Sequence, residues 1–178
     1  AAMLNLRDHF RRGRPDLLHL ALLEATSTPL YLERHLNICV HTVADRVIFV
    51  GEAVRLPKSY FRFEGLVEKL FAEGEVVSAG RRLLEVAEMS FEVLLRRVAP
   101  TETLGLSRIG RSSSFEGVAA ELMATDRPAL VVGGFPRGHF TESVQPHLEK
   151  IYSVSRYPLE ANVVIARIIY EYEKRIEK

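Results

Sequence analysis

The C-terminal third of the chain has the clearest pattern of apolar and polar positions. A short apolar run over 129–132 enters a glycine-rich turn, VGGFPRG, and a second run over 150–154 enters another turn, SRYPL. Short apolar runs bounded by turn residues are typical of buried strands. The long apolar segment that follows Pro158 predicts a helix buried on nearly all sides. We therefore predict two buried strands that each end in a loop, followed by a core helix.

The rest of the chain reads as a series of short elements. Strands are predicted over 17–23, 36–42, 46–50, 83–88 and 103–107, and helices over 60–72, 91–98 and 115–124. The run over 17–23 also fits a short helix. Each of these three helices is preceded by a serine that can cap its N-terminus, namely Ser59, Ser90 and Ser114. From residue 83 onward strands alternate with helices, which indicates an α/β fold with a mostly parallel sheet flanked by helices.

The last helix bears on the oligomeric state. In a domain of 178 residues, a helix that is apolar all round is expected to meet the sheet with one face and a partner chain with another. The alternative is enclosure within one large core. The length itself fits a single domain.

Composition narrows the class of protein. The hydrophobic fraction of 47% supports an ordinary packed core, and neither a bilayer-spanning run nor a signal-peptide pattern is evident. The single cysteine, Cys39, excludes an internal disulfide framework and fits a reducing compartment, so a cytoplasmic location is expected. Cys39 lies in the apolar run LNICV, which predicts a buried structural thiol.

The formal net charge of +1 conceals two basic patches. Four arginines lie within 7–14 against one aspartate, and Arg55, Lys58 and Arg62 follow one another with no acid between them. A near-neutral protein with such patches can bind a polyanion on one face. For the second patch, the alternative is an ordinary solvated turn and helix start.

The glycine-rich turn after the strand at 129–132 has two interpretations. Gly133, Gly134 and Gly138 have no side chain, so the main chain there can approach a small molecule closely. Ligands in open α/β sheets lie at the carboxyl ends of strands, where this turn belongs. The alternative is a tight turn in which glycine serves only the backbone geometry. The spacing matches neither a P-loop nor the dinucleotide-binding fingerprint.

Four blocks of sequence together resemble a known family. They are RGRPDLLHLALLEATSTP (12–29), LNICVHT (36–42), RLPKSYFRFEGLVEKL (55–70), and VVGGFPRG with VSRYPLEANV (131–163). The chain is similar to the SPOUT superfamily of knotted RNA methyltransferases, and most closely to the ribosomal small-subunit pseudouridine N1-specific methyltransferases of the Emg/Nep family. The chain departs from the pattern of this family at two points. Lys58 stands where relatives often have arginine, and the strand and helix that usually precede the first block are expected to be missing here.

The resemblance implies a C-terminal deep trefoil knot, a homodimer and one SPOUT-like domain over 1–178 with a family-specific segment at about 36–90. It also implies bound S-adenosylmethionine, with S-adenosylhomocysteine as product, between the loops at 106–110, 133–138 and 152–159. The expected cofactor-binding residues are Leu106, Ser107, Gly110, Gly133, Gly134, Phe135, Gly138, Tyr152, Val154, Ser155, Tyr157 and Leu159.

The implied reaction is methylation of a pseudouridine ring nitrogen in small-subunit ribosomal RNA, within ribosome biogenesis, with small-subunit ribosomal proteins as further partners. Because that nitrogen bears a hydrogen, a base or an activating hydrogen bond is expected. Asp16 is the candidate, positioned by Arg14. The alternative is that Arg14 and Asp16 form a purely structural pair. Rival functions are a non-catalytic ribosome-assembly factor that binds RNA and a SPOUT methyltransferase that acts on transfer RNA.

The expected RNA contacts are Arg14, Arg55, Lys58 and Arg62 on phosphates, with Tyr60 or Phe63 near an unstacked base. Packing roles are predicted for His19 and His41, and His139 is expected to be solvated. No cysteine or histidine group has metal-ligand spacing, so no metal is expected.

Overall fold

The computed structural model describes residues 14–135 and 138–176. The helices are α1 Pro15–Ala25, α2 Pro29–Leu32, α3 Tyr60–Glu73, α4 Phe91–Val98, α5 Phe115–Leu122 and α6 Ala161–Ile176. The strands are β1 Ile38–His41, β2 Arg46–Val50, β3 Glu75–Ser78, β4 Arg81–Glu88, β5 Glu102–Ser112, β6 Pro128–Val132 and β7 Lys150–Ser153.

A parallel sheet with β5 in the centre carries the C-terminal part of the fold. Its strand order is β6-β5-β7, and both neighbours run parallel to β5. The predicted parallel sheet flanked by helices is thus confirmed for these three strands. Parallel strands end at the same edge, so the segments after β6 and β7 emerge side by side. Leu104, Val118 and Ile168 from β5, α5 and α6 meet in the core beneath the sheet.

The four remaining strands form a separate antiparallel sheet in the order β1-β2-β4-β3. The predicted hairpin of β1 and β2 is confirmed. The prediction that the strand at 83–88 belongs to the parallel sheet is wrong, because β4 pairs antiparallel with β2 and β3. Strand β3 was missed, since its sequence EVVS offers only two apolar residues. Ala79 and Gly80, both with positive φ, form the turn that folds β3 onto β4.

The strand predicted over 17–23 is wrong, and the helical alternative holds. Pro15 occupies the first turn of α1, where its missing N–H costs nothing. Leu17, Ala21 and Leu22 lie on the buried side of this helix. The run LLHLALL is apolar at nearly every position, so periodicity alone did not separate helix from strand. Packing of α1 against α6 and α3 decides the outcome.

The predicted helix ends are largely confirmed. The Ser90 hydroxyl accepts the Val93 N–H at 3.3 Å, and the Ser114 hydroxyl accepts the Gly117 N–H at 3.0 Å. Ser59 also occupies the N-cap position of α3, but its side chain accepts no capping bond.

Helix α6 begins at Ala161, three residues later than Pro158, and is covered largely by its own chain. It packs against α1 and α5, with further contacts to α2 and β6. Val164, Ile168 and Ile169 are buried, whereas Tyr170 is exposed. Enclosure of α6 within the chain's own core, which was the alternative to a contact with a partner chain, therefore accounts for most of the apolar surface of this helix.

Two further expectations concern the surface of the chain. Cys39 is exposed on the edge strand β1, so the prediction of a buried thiol is wrong. Successive side chains of a strand point to opposite faces of the sheet, and the apolar run around Cys39 did not show which face would be covered. No helix in the described ranges is long and apolar enough to cross a membrane.

A charged network joins the parallel sheet to α5. The Lys150 ammonium donates to the buried Glu102 at 2.8 Å and to Glu121. These two hydrogen bonds raise the pKa of Lys150. For Glu121, burial opposes ionisation, but hydrogen bonds from Lys150 and the Tyr152 hydroxyl outweigh it, and the pKa is lowered. Lys150 and Glu121 are therefore both ionised at neutral pH.

We expect Lys150→Met to lower the melting temperature at pH 7, because Glu102 loses its cationic partner inside the fold. Glu121 also loses its Lys150 partner, and its pKa is lowered in the folded state. The stabilisation from such a carboxylate is present above its unfolded pKa and is lost as pH falls through the folded pKa. The gap between wild type and variant should therefore shrink below about pH 4, near the ordinary glutamate pKa. Thermal unfolding followed by circular dichroism across this range measures it, and a gap independent of pH would contradict the assignment.

Candidate active site

A pocket lies at the carboxyl ends of β6 and β7, beside the middle of β5, where the three loops were expected to meet. Its lining residues are Leu106, Ser107, Arg108, Val132, Gly133, Phe135, Gly138, Tyr152, Ser153, Val154, Ser155, Tyr157, Pro158, Leu159, Ala161 and Val164. All of the expected cofactor residues except Gly110 and Gly134 are among them. Three of the lining residues that the sequence did not point to, Arg108, Ser153 and Pro158, lie within the expected loops. The other three lie in the neighbouring elements: Val132 in β6, and Ala161 and Val164 in α6.

The first of these segments belongs to β5 and departs from the loop that was expected. Leu106 and Arg111 both pair with Tyr152 of β7, so residues 107–110 leave the ladder between them. A Cβ on Gly110 would lie 2.6 Å from the Ile151 carbonyl oxygen. Gly110 therefore lets two backbones approach each other and does not line the pocket. The excursion that it closes carries Ser107 and Arg108 into the lining.

The glycines of the turn after β6 divide between the two interpretations. A Cβ on Gly133 would lie 2.8 Å from the Phe135 ring, so glycine at this position serves packing within the chain. Gly138 has a φ of +99°, a conformation that favours glycine. Gly134 is exposed, and a Cβ there would meet no atom within 4 Å. Of these three glycines, Gly134 alone is required neither by packing within the turn nor by its backbone conformation.

Hydrogen bonds hold the polar side of the pocket. The Ser107 hydroxyl lies 3.2 Å from His139 Nδ1, which links β5 to the segment after β6. His139 is half-buried, so the expectation that it is solvated is wrong. The Ser155 hydroxyl accepts the Tyr157 N–H at 3.0 Å and thereby shapes the SRYPL loop. Leu106, Val154 and Leu159 supply the apolar walls and belong to the main core or pack against it.

A groove that contains Arg14 adjoins this pocket. Arg14, Leu17, Gly134 and Glu160 line it. It shares Gly133, Phe135, Pro158, Leu159 and Ala161 with the first pocket. The N-terminal end of α1 therefore lies beside the loops after β6 and β7, although these parts of the chain are more than a hundred positions apart in sequence.

Arg14 and Asp16 form a forked ion pair at the start of α1. Arg14 Nε lies 2.9 Å from Asp16 Oδ1, and Nη2 lies 2.8 Å from Oδ2. The hydrogen bond from Arg14 lowers the pKa of Asp16. About half of each side chain is exposed, so the contribution of the pair to stability is small. A carboxylate with a lowered pKa is a weaker base, and this geometry favours a fixed guanidinium over proton abstraction.

The basic segment 55–62 packs beside the same helix. Arg55, Lys58 and Arg62 are all exposed, and in the described part of the chain none of them has an ion-pair partner. The Tyr60 ring lies 6.0 Å from the His19 ring, and Tyr60 is half-buried. Phe63 is only 1% exposed, so the expectation that it lies near an unstacked base is wrong.

The histidines of the two packing predictions behave as expected. His19 is buried, its Nε2 lies 2.7 Å from the Pro57 carbonyl oxygen, and its ring stacks on Phe63 at 4.4 Å. His41 contacts the Phe91 ring at 5.6 Å. Through His19, α1 is joined directly to the basic segment. Across the described residues no group of three or more histidine, cysteine or acidic side chains could hold a metal ion.

Comparison with known proteins agrees with this architecture. The family model of the EMG1/NEP1 methyltransferases matches residues 1–173. A ribosomal RNA small subunit methyltransferase Nep1 of Pyrococcus furiosus is 35% identical over 178 residues, which is all of this chain and 78% of that protein. The Nep1 of Thermococcus onnurineus is 36% identical over 173 residues, 97% of this chain and 77% of that protein.

A solved structure gives the same result for the fold. The crystal structure of Archaeoglobus fulgidus Nep1 bound to S-adenosylhomocysteine matches with a TM-score of 0.84 at 31% identity, covering 99% of this chain and 78% of that one. The resemblance inferred from the four sequence blocks is confirmed, and the chain belongs to the EMG1/NEP1 methyltransferase family.

Proposed function

We propose that this chain is an S-adenosylmethionine-dependent methyltransferase that modifies N1 of a pseudouridine in small-subunit ribosomal RNA, as a cytoplasmic step of ribosome biogenesis. The observation that carries the proposal is the junction of the loop pocket with the Arg14 groove. It puts a small-molecule pocket next to a half-exposed cation at the start of α1, the helix against which the segment with three further exposed cations packs. The relatives named as small-subunit rRNA methyltransferases support it.

The pocket residues fit S-adenosylmethionine in chemical type. Leu106, Val154 and Leu159 offer apolar walls for a purine, and Ser107 and Arg108 offer polar groups for a sugar and a carboxylate. The likeness to a Nep1 structure that contains S-adenosylhomocysteine supports the same occupant. When bound, the cofactor supplies an electrophilic methyl group.

The part that we assign to Arg14 is electrostatic. Loss of the N1 proton leaves negative charge on the pseudouridine ring, spread over its carbonyl oxygens. A guanidinium held in place stabilises such charge as it develops. Asp16 fixes Arg14 through both contacts of the forked pair. The proton leaves to solvent, towards which this end of α1 is open.

Family membership also supports three proposals about organisation: a trefoil knot in the C-terminal segment, a homodimer, and a single domain over 1–178 with a family-specific segment at about 36–90. Tyr170, exposed on α6, is the side chain that we expect at the contact between copies. If the chain is a homodimer, light scattering should give twice the mass of one chain. A stable monomer at micromolar concentration would contradict the homodimer proposal.

The substrate assignment predicts that fragments of small-subunit rRNA accept a methyl group only where they contain pseudouridine. Uridine at the same position has its glycosidic bond at N1 and so offers no N1–H. Mass-spectrometric mapping of the products, with matched uridine fragments as the control, makes the measurement. Equal methylation of both fragments would contradict N1 specificity, and methylation of transfer RNA alone would favour the rival substrate class.

For the cofactor pocket we expect Tyr157→Ala to weaken the binding of S-adenosylhomocysteine roughly threefold to tenfold, the scale of one aromatic contact. Tyr157 lines the pocket and is 59% exposed, so its loss spares the core. Phe61→Ala is the control, because Phe61 is an aromatic side chain that is 82% exposed on α3 and lies outside the pocket lining. Isothermal titration without RNA compares the two. Equal affinities would show that Tyr157 makes no contact with the ligand.

The roles of Asp16 and Arg14 separate in single-turnover methylation at saturating RNA and cofactor. If Asp16 acts by holding Arg14, Asp16→Asn and Arg14→Lys should slow the reaction by similar factors, roughly tenfold, since lysine cannot form the forked pair. If Asp16 is the base, Asp16→Asn alone should cost on the order of a hundredfold or more. Binding of S-adenosylhomocysteine should be unchanged in both variants, which reports an intact pocket.

A further inference from the structure

The first turns of α3 expose an aromatic ring that the reaction described above does not use. Phe61 is 82% exposed, the highest value among the large apolar side chains in the described ranges. Its neighbours in the helix behave differently, because Phe63 is buried and Tyr60 packs against His19. The burial of Phe63 and Tyr60 sets the rotation of α3, and this rotation directs Phe61 to solvent.

A glycine one turn further on leaves the helix surface bare beside Phe61. Gly65 lies in the middle of α3, is exposed, and has φ in the ordinary range. A Cβ there would meet no atom within 4 Å, so packing inside the chain does not require glycine. Glycine lowers helix stability relative to alanine. Side chains in a helix lean towards the preceding turn, so a larger residue at 65 would partly cover Phe61.

The charges around Phe61 are separated along the helix. Lys58 and Arg62 are exposed and lie before and beside Phe61 in the chain. Partial burial, and next the charge of Glu64, raise the pKa of the Tyr60 hydroxyl. The Glu64 carboxylate therefore lies on the Tyr60 side of the helix. Glu68 is exposed almost two turns beyond Phe61. An anionic backbone is therefore attracted to the N-terminal side of Phe61, and a neutral group can lie over the ring and Gly65.

We propose that Phe61 is a stacking platform for an unpaired nucleobase of the RNA, with Gly65 leaving room for that nucleotide. The proposal rests on the proposed function, that this chain acts on RNA. Aromatic side chains stack any base through its π face, and neighbouring cations hold the phosphates. Alanine at such positions weakens binding severalfold to a hundredfold. Because paired bases in a duplex present no free face, this site selects single-stranded nucleotides.

The test measures binding by fluorescence anisotropy with saturating S-adenosylhomocysteine. The probes are a single-stranded RNA of about twelve nucleotides and a duplex of the same length. Phe61→Ala should weaken single-strand binding about tenfold and duplex binding far less. Phe61→Tyr should stay within about twofold of wild type, since it keeps the ring face. Replacing bases one by one with abasic sites should reveal a position where Phe61→Ala has no further effect.

Two controls separate stacking from charge and from folding. Arg62→Ala should reduce the salt slope of single-strand binding by about 0.7, whereas Phe61→Ala should leave that slope unchanged. Gly65→Ala should raise the melting temperature and yet weaken single-strand binding, a combination that damage to the fold cannot produce.

Several results would overturn the platform. They are unchanged single-strand affinity in Phe61→Ala, equal losses on single strand and duplex, or a lower particle mass in light scattering, which would make Phe61 a contact between copies of the chain. If wild type methylates ribosomal RNA and Phe61→Ala binds normally, only the platform fails. If wild type binds neither probe, the proposed function fails with it.

Discussion

The close approach of β5 and β7 is the constraint on which the rest of the candidate site depends. Tyr152 pairs with Leu106 and again with Arg111, which is possible only because Gly110 has no side chain to separate the two backbones. The intervening residues 107–110 therefore leave the ladder, and Ser107 and Arg108 among them line the pocket. A side chain at Gly110 would separate β5 from β7 and take Ser107 and Arg108 out of the pocket.

The second organising contact is between α1 and the basic segment. His19 bonds the Pro57 carbonyl and stacks on Phe63, so a buried histidine connects the helix that begins beside Arg14 with the turn that carries Lys58. The loop pocket, the Arg14–Asp16 pair and the basic segment are thus parts of one packed unit. In the proposed function this arrangement would let separate segments act on one nucleotide, because positioning is most of what methyl transfer needs.

Much of the local structure was predictable because short-range chemistry decides it. Ser90 and Ser114 cap their helices, and Gly74 ends α3 with a φ of +83°. Strands β6 and β7 also follow from apolar runs bounded by turn residues. The misses share a different cause. The run over 17–23 is apolar with either period, and β4 looks the same from the sequence whether it pairs parallel or antiparallel.

By itself, the sequence determined which segments form the candidate site, because glycines, prolines and apolar runs mark the ends of β6 and β7, and because four blocks carry the family resemblance. Only the tertiary structure decided what each residue does there. It assigned Gly110 to a backbone contact, buried Phe63, exposed Phe61, and lowered the pKa of Asp16 through Arg14. These outcomes depend on helix rotation, strand pairing and the neighbours that surround each group, and such long-range relations leave no periodic trace along a chain.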